Sequence, residues 1–306
     1  MIKATLVHLG TNMWYDFGND RPGYYKTWEI GASEKMRFDK KLWIEYLKKM
    51  KECGVNAIVL DIGDGIVYDS HPELKIEGSL TKEEIKSEID RVRGMGFDII
   101  PKLNFSTCHD VWLKDYAKMV STKTYYKVCA DIIEEVCDLF QPKFLHLGMD
   151  EEVYENQKQY DYIVIRNNEL WWHDLYYFVD CVEKKGVRAC MWSDYARHRP
   201  EEFAQKCPKS VVQCPWYYFD KFYGEMDETH AVRVMPFKFL AEKGFDILAG
   251  ASNEYFEDNA QLLHDYCKAE IDGDKYLGII QTTWLSVEEK WRERLFNGAE
   301  VMANLK

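Results

Sequence analysis

Short apolar runs alternate along the chain with longer segments in which apolar residues return every three or four positions. Eight of the runs have strand length: Ala4 to Leu9, Asn56 to Asp61, Asp98 to Leu103, Phe144 to Gly148, Arg188 to Trp192, Val211 to Pro215, Ile247 to Gly250 and Leu277 to Thr282. Several are almost continuously apolar (AIVLDI, DIIPKL, DILAG), as expected of parallel strands covered on both faces. The intervening segments have helical periodicity, with Trp43, Leu47 and Met50 in one, Val128, Ile132, Val136 and Leu139 in another, and Trp171, Leu175, Phe178 and Val182 in a third. Gly54, Gly96, Gly186 and Gly244 each stand where a helix should end shortly before a strand. Thr81 with Glu84 reads as a capping box opening the helix TKEEIKSEI.

Strand-to-strand steps average about 39 residues, the length of a strand, a helix and two loops. No glycine-rich phosphate loop follows the first strand and no repeat is visible, which disfavours an open doubly wound sheet and a solenoid. The pattern predicts an α/β protein, a (β/α)8 TIM barrel, with residues 1–306 as one domain.

Composition narrows the function classes. The 40 Lys and Arg against 52 Asp and Glu give a net charge of -12 without a basic stripe, so no nucleic-acid partner is expected. No apolar stretch is long enough to span a bilayer, and no membrane partner is expected. MIKATLVHLG runs directly into a strand without a leader-like segment, so the expectation is a cytoplasmic protein. The nine cysteines are scattered without CxxC or Cys/His ligand spacing, which predicts free thiols.

Barrel proteins build their sites at the C-terminal ends of the strands. Those ends carry His8 and Trp14, Asp61 and Asp64, Asn104 and His109, His146, Asp150 and Glu151, Trp192 and Asp194, Gln213 and Trp216, Asn253 and Tyr255, and Gln281 and Trp284. Any one of these is more often packing than chemistry. Taken together, they place adjacent acids within reach of three strand-end tryptophans, Trp192, Trp216 and Trp284. Aromatic faces stack on the C–H faces of sugars, so the set suggests a glycan pocket. Like charges and tryptophan walls predict a raised pKa for Glu151, suited to a general acid; the competing reading is an exposed acidic loop continued by Glu152 and Glu155.

The stretch LHLGMDEE, Leu145 to Glu152, resembles the His-x-Gly-Gly-Asp-Glu motif of family 20 glycoside hydrolases, the β-N-acetylhexosaminidases, with Met149 at the second Gly. IPKLNFSTCHDVWLK resembles the family's strand-three segment, with Cys108 and His109 at its Gly-His pair. GVNAIVLDIGD with YDSHPEL, then MWSD, QCPW, NEYFED and QTTW, are looser matches in the same order, so the resemblance runs from about residue 38 to 285.

The resemblance implies Glu151 as general acid and Asp150 as partner of the substrate's 2-acetamido group, whose oxygen attacks the anomeric carbon in retaining, substrate-assisted hydrolysis. It implies Tyr255 as a hydrogen-bonding partner of the acetamide and Trp192, Trp216 and Trp284 as walls. Asp194 belongs to its substrate-binding set, Asp61 and His109 to a supporting relay, and His146 to the supporting residues. A carbohydrate substrate is implied, without cofactor or metal. Two positions depart from the family. Strand one has no sugar-gripping Arg, leaving Arg21 or Arg37 to reach in from a loop, and Ser286 stands where the family has Glu. The alternatives are a metal-dependent sugar isomerase or epimerase using His8, Asp61, His146, Asp150 and Glu151 as ligands, and a glycan-binding barrel without catalysis.

Overall fold

The computed structural model describes residues 1–13, 32–158, 160 and 162–305. Eight strands, β1 (Ile2–His8), β2 (Ala57–Asp61), β3 (Asp98–Lys102), β4 (Phe144–His146), β5 (Arg188–Trp192), β6 (Val212–Cys214), β7 (Ile247–Ser252) and β8 (Tyr276–Thr282), pair in sequence order and close on one another. Every pairing is parallel, including β1 with β8. The helices are α1 (Lys40–Glu52), α2 (Lys82–Gly94), α3 (Lys123–Phe140), α4 (Tyr154–Gln157), α5 (Glu169–Glu183), α6 (Asp194–His198), α7 (Pro200–Lys206), α8 (Glu228–Glu242), α9 (Asn259–Glu270) and α10 (Arg292–Glu300). The (β/α)8 barrel read from the periodicity is the observed fold.

Strand parity decides which residues reach the site, because successive side chains point to opposite faces. Ala4, Leu6, Val59, Ile100, Cys190, Val212, Leu248 and Ile280 fill the barrel interior. Val7, Ile58, Leu60, Ile99 and Leu145 pack outward in the larger core with the helices. Stepping by two from the interior residues gives His8, Asp61, Lys102, His146, Trp192, Trp216 and Trp284. The polar and aromatic mouth is thus the continuation of the inward faces.

Two strands are shorter than their apolar runs suggest. β4 stops at His146 because the next residues turn, with φ of 75° at Gly148 and 69° at Met149. β6 stops at Cys214 before Pro215, which has no N–H for the ladder. Between the mouth strands Gly250 is a packing requirement: a Cβ there would stand 2.8 Å from Trp216 Cβ and 3.1 Å from the Trp192 ring.

The local signals behave as their physics requires. Gly54, Gly96, Gly186 and Gly244 all have positive φ, from 72° to 93°, at the helix ends. The Thr81 hydroxyl accepts from the Glu84 N–H at 3.2 Å while the Glu84 carboxylate accepts from Thr81 N–H at 2.8 Å, closing the capping box of α2. Thr81→Ala is expected to destabilise the fold by about 1 kcal/mol, read as a lower denaturant midpoint at unchanged slope. An unchanged midpoint would mean that solvent replaces the cap. All nine cysteines are free, eight of them buried. Among the described residues no helix is long and apolar enough to cross a membrane.

Candidate active site

The segment after β4 is shaped by backbone strain and by a clamp. Gly148, Met149 and Glu151 all have φ between 56° and 75°, a region costly for residues with a Cβ. Gly148 has no alternative, since a Cβ there would lie 2.0 Å from Asn104 Oδ1. Met149 occupies the same region at a cost, and its buried side chain contributes to the outer core. The strain is held by contacts from the β3 loop: Ser106 Oγ donates to the Asp150 carbonyl and Cys108 Sγ to the Glu151 carbonyl. Glu152 is not part of an exposed acidic loop. Its side chain is 6% exposed and paired with Arg166, which also meets Asp174 of α5 at 2.9 Å and donates to the Phe105 carbonyl at 2.6 Å. The competing acidic-loop reading thus fails for Glu152.

This arrangement turns Asp150 and Glu151 to different surroundings. Asp150 is buried, and its Oδ1 accepts from Asn104 Nδ2 at 3.0 Å while Oδ2 lies 3.4 Å from His109 Nε2. The Glu151 side chain is 40% exposed, toward the cavity, with Oε2 3.3 Å from the same His109 nitrogen. His109 Nδ1 lies 3.1 Å from the Met13 carbonyl, which makes it the donor on that side. Burial alone would lower the His109 pKa, but the charge of Asp150 and contact with Glu151 outweigh it and raise it to about 9. For Glu151 burial pushes upward, and His109, with Arg197 and Arg233, outweighs that and holds the carboxyl below its usual range. The raised Glu151 pKa expected from the sequence is therefore reversed. Local sequence shows neighbouring acids and tryptophans, but not the cations brought in from other strands.

Asp150, Glu151 and His109 line a cavity of about 390 Å3 together with Trp192, Trp216, Trp284 and Tyr255. The three tryptophans expected to share a pocket do so. Trp192 and Trp284 lie 6.0 Å apart between ring centroids, Trp216 stacks on Tyr218 at 4.9 Å, and Trp284 has a positive φ of 53°. Tyr255 is 56% exposed at the rim, stacked on Phe219 at 5.3 Å.

Two sequence expectations change, those for Asp61 and Asp194. Asp61 does not form a relay with His109. It ends β2 in register with Lys102 and His8, points into the interior by parity, and pairs there with Lys102 at 2.6 Å and His8 at 3.3 Å. Burial works to raise its pKa, but Lys102 and His8 prevail and hold it low. His146 is a support beneath the pocket. Its Nδ1 accepts from the Gly148 N–H at 3.0 Å, its ring packs 4.6 Å from Trp192, and burial and Lys102 keep it neutral. Asp194 sits behind Trp216 rather than in the cavity, accepting from Trp216 Nε1 at 2.9 Å and Arg197 at 3.0 Å. Burial, only partly offset by Arg197 and reinforced by Asp150 and Glu151, raises it to about 6.

The five donors considered for a divalent ion are thereby divided. The Lys102 ammonium is paired with Asp61, and among the described residues no group of three such donors is placed to hold an ion. Trp14 and Arg21 lie outside the described residues. Arg37 lines a separate depression with Asp39 and Glu288, and Ser286 Oγ is turned onto Glu288 at 2.6 Å.

Sequence reasoning missed other cavity residues: Thr229, His230 and Arg233 from the first turns of α8, and Glu254, whose carboxyl burial raises to about 7. Glu254 stood between two residues singled out at a strand end, and β7 stops at Ser252, so strand parity does not say which of the three turns inward. Arg233 lay in a helical segment, where periodicity identifies a buried face but not a cavity.

A closed barrel with an acid pair, an imidazole and three tryptophans around one cavity at its C-terminal mouth carries its candidate site where barrel enzymes build theirs. Residues 104–218 match the glycosyl hydrolase family 20 catalytic domain, somewhat more than a third of the chain. Among curated proteins, the lacto-N-biosidase of Bifidobacterium bifidum is 22% identical over 125 residues, covering 36% of this chain and 11% of that protein. Among solved structures, the exo β-N-acetylglucosaminidase of Vibrio harveyi in complex with N-acetylglucosamine is 17% identical with a TM-score of 0.62, over 98% of this chain and 54% of that one. The β-N-acetylhexosaminidase of Streptomyces coelicolor is 12% identical with a TM-score of 0.65, over 98% and 63% respectively. The chain thus spans about half to two-thirds of these two structures and a small part of the curated relative; at these identities the structures establish the fold.

Proposed function

We propose that this barrel is a retaining glycosidase of the β-N-acetylhexosaminidase type, releasing a terminal 2-acetamido sugar by substrate-assisted hydrolysis. The observation that carries this reading is the separation of the two adjacent acids: Asp150 buried and fixed by Asn104, Glu151 open to the cavity, with His109 between them. Asp150 orients the acetamide N–H and balances positive charge as the acetamide oxygen attacks the anomeric carbon to form an oxazolinium. Glu151 gives its proton to the departing oxygen, then removes one from the water that opens the ring. The tryptophans hold the sugar faces and Tyr255 closes the rim toward the acetamide.

Before substrate binds, at neutral pH, the shared proton belongs on His109, the group whose pKa is raised to about 9. A sugar that fills the cavity removes water from Glu151 and favours its neutral form, so the proton passes across the 3.3 Å contact. The high-pH limb of kcat/KM should accordingly lie near pH 9, where the free site loses that proton, and His109→Ala should move it to lower pH. A limb that stays in place in the variant would remove His109 from the proton path. The same shift predicts a stability change. A raised histidine pKa stabilises the fold fully below 6.5, and that contribution fades as pH rises toward 9.

Release of nitrophenol from nitrophenyl N-acetylglucosaminide or N-acetylgalactosaminide is the direct test. Absence of turnover across a panel of 2-acetamido glycosides would overturn the proposal.

A further inference from the structure

Within the α8 wall of the cavity, Thr229, His230 and Arg233 lie three and four positions apart, on one helix face, and all three line the space that contains Glu151. The guanidinium of Arg233 stands 5.1 Å from the Trp216 ring centroid, and that of Arg197 stands 3.9 Å from the same ring. The two cations differ in how their charge is met. Arg197 has Asp194 at 3.0 Å and donates to the Trp216 carbonyl at 3.0 Å. Arg233 has its contact with the indole, and no carboxylate or hydrogen-bond acceptor of the described residues is in contact with its guanidinium.

The chain carries 52 acids against 40 bases, so a cation left unpaired inside a cleft is not a consequence of composition. The acids of the cavity are committed elsewhere: Asp150 to Asn104 and His109, Glu151 to His109, while Glu254 is raised by burial to about 7, with Arg294 the cation that opposes the shift.

We propose that the cavity recognises an anionic substituent of the glycan, a sulfate ester, phosphate or carboxylate, at Arg233. The inference rests on reading this cavity as the glycan pocket and names the substrate class within it. A guanidinium fork matches the paired oxygens of such groups. The Thr229 hydroxyl and the positive end of the 15-residue α8 stand beside it. The anion has a second effect. Arg233 is among the cations that hold Glu151 low, so neutralising it favours the protonated acid, and a charged substrate should gain in kcat as well as in KM.

The test is calorimetric binding of N-acetylglucosamine, its 6-sulfate, its 6-phosphate and its 3-O-lactyl ether (N-acetylmuramic acid) to the wild-type chain and to Arg233→Gln and Arg233→Lys. At least one charged sugar should bind on the order of ten- to hundredfold more tightly than the neutral one. That advantage should shrink with salt, vanish in Arg233→Gln and be partly kept in Arg233→Lys. Which arm gains identifies the anion. Equal binding of neutral and charged sugars by the wild type overturns the proposal, as does an equal loss for all of them in Arg233→Gln, which would make Arg233 a hydroxyl clamp. Turnover of neutral nitrophenyl glycosides without any charge preference sinks this inference and leaves the hydrolase reading standing. A charge preference in binding without turnover of any glycoside does the reverse.

Discussion

Glu151→Gln should abolish most turnover while leaving the fold in place. The amide keeps the shape of the side chain and removes the only proton it can deliver, and general acid catalysis by a positioned carboxyl contributes about 10²- to 10⁴-fold. The loss should depend on the leaving group. Nitrophenolate leaves with little help, so the deficit should be smallest on nitrophenyl glycosides and largest on a disaccharide whose departing alcohol needs the proton. A uniform loss across leaving groups would argue for a positional role of Glu151 instead. The variant has a second signature: with one carboxylate gone, the His109 imidazolium loses part of what raises it, and its titration should fall below about 9. The unfolding midpoint should move little, because the side chain is 40% exposed toward the cavity.

Arg166→Met is expected to show the largest stability effect among these predictions. Arg166 is 1% exposed and holds Glu152 and Asp174, themselves 6% and 0% exposed. Removing the cation leaves two buried carboxylates without a counter-charge, a loss of roughly 3–5 kcal/mol for breaking a buried pair on one side. Adding Glu152→Gln and Asp174→Asn to the Arg166→Met variant should recover much of it. Chemical unfolding of the single and triple variants reads both effects. Activity should fall with stability, since the same guanidinium ties the strained turn carrying Asp150 and Glu151 to α5. A neutral outcome would mean that water solvates the two acids after all.

The fold was legible because its signals are local and periodic. The two-residue alternation of AIVLDI assigns Ile58 and Leu60 to one face and Val59 and Asp61 to the other, whatever the rest of the chain does. The order of the eight runs, the capping box at Thr81 and the four helix-ending glycines are equally local. The strand-end rule then found Trp192, Trp216 and Trp284, because inward parity holds to the strand end and up to two residues beyond it, and it found Asp150 and Glu151 by position alone, since they follow β4 past a turn that parity does not describe.

What failed was pairing across the barrel. The family resemblance linked Asp61 to His109, yet register sets Asp61 beside Lys102 and His8, and His109 hangs from a loop that meets Met13 and the acid pair. It placed Asp194 in the pocket, whereas the Trp216 indole and Arg197 hold it behind the wall. Long loops and helix starts carry no periodic signal toward a cavity, so Arg233 and Glu254 emerged only in three dimensions.

The sequence by itself determined the barrel, its eight strand ends and the identity of the adjacent acids, since each follows from side-chain period and chain order. Tertiary structure alone decided the direction in which Glu151 is shifted. An isolated acid pair flanked by tryptophans should titrate high, but the field at Glu151 is set by His109, Arg197 and Arg233, residues 42, 46 and 82 positions away that closure of the barrel brings around one cavity.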